Sequence, residues 1–211
     1  MDFIIVLLFS YLSGSIPYGL LLTKIFYKQD IRKVGSGNIG ATNVLRTGNK
    51  FLAIITLLLD VLKGYMPVML TIKLFPELVG LSCIFVFIGH IFSIWLKFKG
   101  GKGVATYLGA ITALSIELSI LFIFTWIVVS LIFKYSSLSS MFSAFTVFVV
   151  SSIRDIASPI IGELLKQNQY LNSNSIIEKK ILLFIFFILI IFTHRKNISN
   201  LINKTEKKIK I

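Results

Sequence analysis

Residues 51–75 read FLAIITLLLDVLKGYMPVMLTIKLF, a 25-residue run interrupted by only three charges, Asp60, Lys63 and Lys73. A helix of that length rises roughly 37 Å, more than the roughly 30 Å of hydrocarbon in a bilayer. Asp60 and Lys63 stand three apart and share a helix face. A charge pair inside a membrane segment is expected to be functional or, equally, a structural salt bridge. Further apolar segments fall at 3–26, 78–96, 104–116, 118–133, 139–153 and 181–193. Every backbone polar group that crosses lipid must be hydrogen-bonded internally, so all of these are expected to be helices.

The expected fold is therefore an all-α integral membrane protein, one polytopic domain over 1–211 with about seven transmembrane helices. An alternative makes 104–133 one helix with Glu117 inside it and lays 139–153 at the interface, giving five passes. The rest of the composition agrees. The 211 residues are 55% hydrophobic and only 15% charged, with mean hydropathy +0.87. Soluble domains carry about a quarter charged residues, so an ordinary soluble enzyme is excluded. Disorder is excluded by the long apolar runs. The single Cys83 gives no disulfide framework, and with only His90 and His194 no metal site is expected.

The N-terminal segment differs from a signal peptide. Asp2 follows Met1 with no basic stretch, and the apolar run continues to about Phe26, so it is expected to be a retained first helix. Ser10, Ser13, Gly14 and Ser15 suit close helix packing, and Pro17 suits a kink. Three basic clusters set the orientation. The 24–50 loop holds Lys24, Lys28, Arg32, Lys33, Arg46 and Lys50 against Asp30. Lys97, Lys99 and Lys102 follow the third segment. The tail carries Arg195, Lys196, Lys204, Lys207, Lys208 and Lys210 against Glu206. The positive-inside rule puts all three in the cytoplasm. Seven passes with the N-terminus outside and the C-terminus cytoplasmic satisfy it, as do five, whereas six do not.

Seven of the 14 glycines lie in two stretches on that face. The first is Gly35-Ser36-Gly37-Asn38-Ile39-Gly40-Ala41-Thr42-Asn43-Val44-Leu45-Arg46. It contains GxGxxG, but a loop between membrane helices lacks the βαβ unit that a dinucleotide fingerprint needs. The glycines still allow backbone N–H groups to approach an anion, and Arg46 is a bidentate phosphate partner. The second stretch is Gly89-His90 followed by Phe98-Lys99-Gly100-Gly101-Lys102-Gly103-Val104-Ala105-Thr106. Glycines around a lysine where a helix opens make another anion cradle. Val104 after Gly-Lys-Gly rules out a Walker A loop. Lys97 and Lys99 read as orientation charges, and His90 as a structural hydrogen-bonding residue. A third cluster, His194-Arg195-Lys196-Asn197-Ile198, puts His194 and Asn197 on one face if the helix continues. The Ser136-Ser137-Leu138-Ser139-Ser140 turn suits a helix cap or hydroxyl donation to an anion.

Together these stretches resemble the bacterial acyl-phosphate:glycerol-3-phosphate acyltransferases, the PlsY family, over essentially the whole chain. GSGNIGATNVLR resembles its first motif, GH…FKGGKGVAT its second, and HRKNI with Leu201, Thr205 and Glu206 its third. Asp60–Gly64 and Ser137–Ser140 also match. Ile39 stands where the family usually has proline, Asn200 where it has arginine, and Lys204 where it has glycine. The resemblance implies an inner-membrane enzyme with its active site on the cytoplasmic side. It would move an acyl chain from acyl phosphate to the sn-1 hydroxyl of glycerol 3-phosphate, giving lysophosphatidic acid and phosphate. It further implies that Ser36, Arg46, Lys102, Ser137, His194 and Asn197 line the phosphate-binding site. Gly37, Asn38, Gly40, Asn43, Gly100, Gly101 and Gly103 would shape its floor.

The chemistry of the residues is compatible with that. Acyl phosphate is already activated, so positioning and charge stabilisation suffice and no cofactor is expected. The expected partners are the two substrates and membrane lipid, with no nucleic acid and no obligate protein partner. The His-x-x-x-x-Asp pair of other acyltransferases is absent, since the fifth residue after His90 is Trp95 and after His194 is Ser199. The rival class is a transporter for an anionic solute. No repeat relates the two halves, and a transport site belongs near the midplane, whereas the motifs cluster on one face.

Overall fold

The structure is a computed structural model and describes residues 1–161 and 173–209. Lys210 of the basic tail lies outside the described residues. Those described are helical with connecting turns and contain no strand. They form two compact units, Met1–Ile116 and Glu117–Ile211.

In the first unit, α1 (Asp2–Ser15) and α2 (Tyr18–Tyr27) form one apolar stretch broken at Ile16 and Pro17. Proline has no N–H to continue the ladder and forces the residue before it to be extended, as Ile16 is at ψ 119°. α3 (Ala41–Leu45) is a single short turn, and α4 (Lys50–Leu74) is the 25-residue helix expected over 51–75. Asn49 caps α4 by accepting from the Leu52 N–H at 2.8 Å. The buried Lys63 ammonium lies 2.7 Å from Asp60 Oδ1 and donates to the Ile16 carbonyl at 2.6 Å. The charge pair thus holds the break in the first stretch. A structural salt bridge is the role this geometry gives it.

α5 (Val79–Ile91) packs on α1, and α6 (Val104–Leu114) on α4. Both crossings run through glycines. A Cβ on Gly14 would collide with the Val86 carbonyl, and one on Gly89 with that of Tyr11. Gly64 meets the Thr106 carbonyl and Gly109 that of Val61 in the same way. Without a hydrophobic drive between helices in lipid, such backbone approach is how they gain contact. Ser10 and Ser82 add a buried hydroxyl pair at 2.8 Å.

The second unit begins with α7 (Ile116–Phe133) and α8 (Ser136–Ile161). It continues with α9 (Ser173–Thr193) and α10 (Arg195–Ile202). Residues 104–133 are thus two helices, because Ser115 is extended at φ −163° and ψ 119° between α6 and α7. Glu117 sits in the first turn of α7, where the helix dipole favours an anion. Phe148 stacks with Phe187 at 6.4 Å and meets Phe184 at 5.4 Å, joining α8 to α9. Trp126 Nε1 donates to Ser140 Oγ at 3.1 Å, joining α7 to α8.

Among the described residues, five stretches are long and apolar enough to cross a membrane: 2–27, 50–74, 76–96, 116–133 and 136–153. The pair Lys179–Thr193 and Arg195–Ile202, bent by 58°, makes a sixth if counted as one span. α6 is apolar but has only 11 residues, roughly 16 Å of rise, short of a full crossing. Large apolar side chains such as Phe51, Ile54, Leu58, Phe124 and Ile132 point outward, as a lipid-facing surface requires.

Candidate active site

The first glycine stretch is folded around Asn43, which is buried. Its side-chain NH2 donates to the carbonyls of Asn38 at 2.7 Å and Val34 at 2.9 Å, with Ile31 O sharing a proton at 3.1 Å. Its Oδ1 accepts the Ser36 N–H at 2.8 Å. Asn43 therefore acts on the backbone of its own loop, satisfying polar groups that would otherwise be stranded. Gly35 and Gly37 have φ of +61° and +72°, which residues with a Cβ rarely adopt. A side chain on Gly35 would also strike Asn43 Oδ1 and crowd the stem of Arg46. Gly40 is different: at φ −81° it opens α3, its N–H bonded to Asn38 Oδ1 at 3.3 Å. Ile39 is buried with Leu20, Ile31, Val44 and Leu52, so the residue that replaces the family proline packs in the core.

The second glycine stretch closes on His90. Gly100 and Gly101 donate their N–H groups to the Ile91 and His90 carbonyls at 2.8 and 3.1 Å. A Cβ on Gly100 would collide with those carbonyls, and one on Gly101 with His90 Nε2. Gly103 has φ +81° and lies against the Phe87 ring. Packing thus requires these three glycines whatever else they serve. His90 itself is buried, with Nδ1 3.1 Å from Thr106 Oγ1, which is the structural role expected of it. Lys102 sits half-buried between Gly101 and Gly103.

The two stretches share a cleft of about 720 Å3. Gly37 of the first and Gly100 of the second line it, with Arg32, Trp95, Lys97 and Lys99. Arg32 is gripped by Asp30, Nε to Oδ1 at 2.9 Å and Nη2 to Oδ2 at 2.6 Å. The guanidinium holds the Asp30 carboxyl well below the usual carboxylate range, and Asp30 raises Arg32 in return, so both stay charged. That pair, and the place of Lys97 and Lys99 in the cleft, were not legible in the sequence.

In the second unit, Ser137 Oγ and Asn197 Nδ2 both donate to Glu206 Oε1, at 2.8 and 2.6 Å. Asn200 Nδ2 reaches Oε2 at 3.3 Å. Ser139 and Ser140 turn their hydroxyls back to carbonyls of Tyr135 and Ser136, both at 2.8 Å. His194 is buried at the bend between α9 and α10, its Nδ1 2.8 Å from the Ile190 carbonyl. The gathering role of Glu206 was missed in the sequence. Its signal was there: it is the lone acid in a basic tail.

Apolar helices that carry a cationic, glycine-lined cleft define a polytopic integral membrane protein. The comparisons narrow the class. The family model for glycerol-3-phosphate acyltransferases matches residues 4–204. A glycerol-3-phosphate acyltransferase of Pelagibacter ubique is 49% identical over 211 residues, covering 100% of each chain. One of Mesorhizobium japonicum is 43% identical over 206 residues, covering 98% of this chain and 95% of its own. A crystal structure of PlsY, an integral membrane glycerol 3-phosphate acyltransferase, in its glycerol 3-phosphate form gives a TM-score of 0.85. It is 30% identical and covers 100% of this chain and 96% of its own. The lysophosphatidic acid form gives 0.82 at 29% identity, covering 99% and 95%. The chain belongs to the glycerol-3-phosphate acyltransferase family.

Proposed function

We propose that this protein transfers an acyl group from an acyl phosphate to the sn-1 hydroxyl of glycerol 3-phosphate, giving lysophosphatidic acid and inorganic phosphate. The observation that carries the reading is the meeting of two motif loops, through Gly37 and Gly100, in one cationic cleft of a membrane protein of this family. Crystal forms of PlsY with glycerol 3-phosphate and lysophosphatidic acid support the acceptor and the product.

In this reading the hydroxyl oxygen attacks the acyl carbon, the acyl–phosphate C–O bond breaks, and phosphate leaves with the bonding pair. Negative charge grows on the carbonyl oxygen and then on the leaving phosphate, so fixed donors and cations are what the reaction needs. Ser36, Arg46, Lys102, Ser137, His194 and Asn197 are assigned to that task. Gly37, Asn38, Gly40, Asn43, Gly100, Gly101 and Gly103 shape the surface on which the substrates lie. The donor is already activated, so no cofactor is required. A hydroxyl has one proton, so Ser137 must leave Glu206 before it can donate to a phosphate.

The three basic clusters support a topology with the N-terminus outside and the tail in the cytoplasm of a bacterial inner membrane. The seven-pass topology counts 104–116 as one of its segments, the one whose helix α6 reaches only part-way through the hydrocarbon, and takes 1–211 as a single polytopic domain. Substrates and lipid are the partners it needs.

The test is direct. Purified protein is mixed with acyl phosphate and labelled glycerol 3-phosphate. Labelled lysophosphatidic acid with matching phosphate release is expected. Uptake of label into sealed vesicles without product would replace this reading by a transporter.

A further inference from the structure

Topology alone accounts for lysines on the cytoplasmic side, but not for the geometry around Lys97 and Lys99. After α5 the chain makes a tight turn in which Lys97 and Phe98 have φ of 52° and 60°. Two successive residues with side chains in the left-handed region are costly, and such conformations persist only where the surroundings impose them. Here Phe98 N–H bonds to Ser93 O at 2.9 Å and Lys99 N–H to Leu96 O at 3.1 Å. Ser93 Oγ anchors the turn to the Ser15 carbonyl at 2.5 Å. The turn presents Ile94, Trp95 and Phe98 outward, Trp95 64% exposed, beside two exposed ammonium groups. Among the described residues neither ammonium has a hydrogen-bond or ion-pair partner. Both line the cleft with Trp95 and Arg32, whose Nη1 is not used by Asp30.

We infer that this cleft is the access subsite for a single-chain lipid ending in a phosphate group. Lys97, Lys99 and the open edge of Arg32 take the phosphate, and Trp95, Ile94 and Phe98 lie along the first methylenes of the chain. A water-soluble phosphate ester would gain nothing from three exposed apolar side chains, whereas each methylene laid against them is taken out of water. A mere interfacial anchor would use the aromatics and lysines without a cleft shared with Gly37. Which lipid passes through rests on the proposed acyl transfer, where it is the donor. The binding does not depend on that reading.

The chain has two tryptophans, so Trp126→Phe leaves Trp95 as the only indole reporter. That variant, in neutral detergent, is titrated with dodecyl phosphate. A saturable blue shift of Trp95 emission is expected, with its midpoint raised about fivefold to tenfold by Lys97→Gln/Lys99→Gln and restored by the double arginine variant. Glycerol 3-phosphate and inorganic phosphate are expected to leave the spectrum unchanged. The same shift with inorganic phosphate would make this a plain anion site and overturn the inference. The same shift with dodecyl maltoside would reduce Trp95 to an anchor, and an unmoved midpoint in the glutamine variant would remove the lysines. In turnover, the glutamine variant should raise KM for acyl phosphate by a similar factor and leave that for glycerol 3-phosphate unchanged. Lipid binding without turnover by the parent chain would end the acyl-transfer reading alone, and turnover without binding would end this one alone.

Discussion

The Ser137 hydroxyl donates to Glu206 Oε1 at 2.8 Å across 69 positions of sequence. Through that carboxylate the start of α8 is tied to the segment after α10, because Asn197 and Asn200 bond to it as well. Hydrogen bonds to a charged group contribute roughly 1.5–3 kcal/mol each, and a stranded buried donor costs a similar amount. Glu206→Ala strands donors on all three partners, whereas Glu206→Gln keeps an acceptor oxygen. Asn197, Asn200 and Glu206 are half-buried, so water replaces much of what is lost and a net cost of about 2 kcal/mol is expected. Thermal unfolding in detergent should then show Glu206→Ala lowering Tm by about 4–8 °C, at roughly 2–4 °C per kcal/mol for a chain of this size, with Glu206→Gln less affected. Equal Tm values for both variants and the parent would deny Glu206 this role.

Arg46 and Lys102 are the cations of the two glycine loops. One charge-assisted bond to phosphate contributes roughly 1.5–3 kcal/mol, which is at least about tenfold in rate. Arg46→Ala and Lys102→Ala should each lower kcat/KM by tenfold or more in the lysophosphatidic acid assay. Turnover within twofold of the parent in either variant would remove that residue from the site.

How far the sequence could be read depends on the range of each interaction. Helices over 51–75 and 78–96 follow from hydropathy, and the Asp60–Lys63 pair from i, i+3 spacing, because both are local. The break at Ser115 is not legible, since a single serine between Leu114 and Ile116 scarcely changes an apolar average. The third member of the charge cluster, the Ile16 carbonyl, lies 47 positions from Lys63 and leaves no local pattern. The glycine motifs were legible as motifs, but not the reason for each glycine. Gly37 is set by backbone sign, whereas Gly101 is set by the ring of His90, eleven residues earlier. Lys97 and Lys99 show only their charge in the sequence because their cleft partner, Gly37, belongs to a distant loop.

The Asp60–Lys63 pair gives a stability prediction with a definite order. Removing one partner of a buried pair leaves an uncompensated charge and costs roughly 3–5 kcal/mol, while replacing both by apolar groups is often close to neutral. Lys63→Met should thus lower Tm more than Asp60→Leu/Lys63→Met does. The double variant should still fall below the parent, because the Ile16 carbonyl loses its donor. A double variant less stable than Lys63→Met would contradict the pairing.

Sidedness can be read by cysteine labelling in a chain carrying Cys83→Ala. Lys50 is exposed at the start of α4 and leaves the capping side chain of Asn49 in place. Cysteines at Lys50 and Lys207 should react with an impermeant maleimide only from the cytoplasmic side, and one at Asp2 only from outside. Labelling of position 207 from outside would overturn both the seven-pass and the five-pass arrangements.

The remaining question is which group takes the proton from the acceptor hydroxyl. His194 Nδ1 lies 2.8 Å from the Ile190 carbonyl, so Nδ1 carries the hydrogen and the ring's lone pair is on Nε2. That tautomer is the one a general base would have, but the Nδ1 hydrogen goes to a carbonyl, whereas the Ser-His-Asp arrangement gives it to a carboxylate. Glycerol 3-phosphate brings its own acceptor: a phosphate monoester has a second pKa near 6 and is largely dianionic at neutral pH. Acyl phosphate is reactive enough for so weak a base to serve. The substrate phosphate is therefore expected to take the proton, directly or through water, with His194 and Asn197 holding it in place. The sign follows: the dianion is the active form, so the rate falls as pH drops through about 6. A histidine base would give a similar limb, so the variant decides. His194→Gln keeps a donor and should stay within about a hundredfold of the parent, the lower edge of general-base effects, with its acidic limb intact. Loss of that limb, or a fall approaching 10⁴-fold at the upper edge, would make His194 the base and this route wrong.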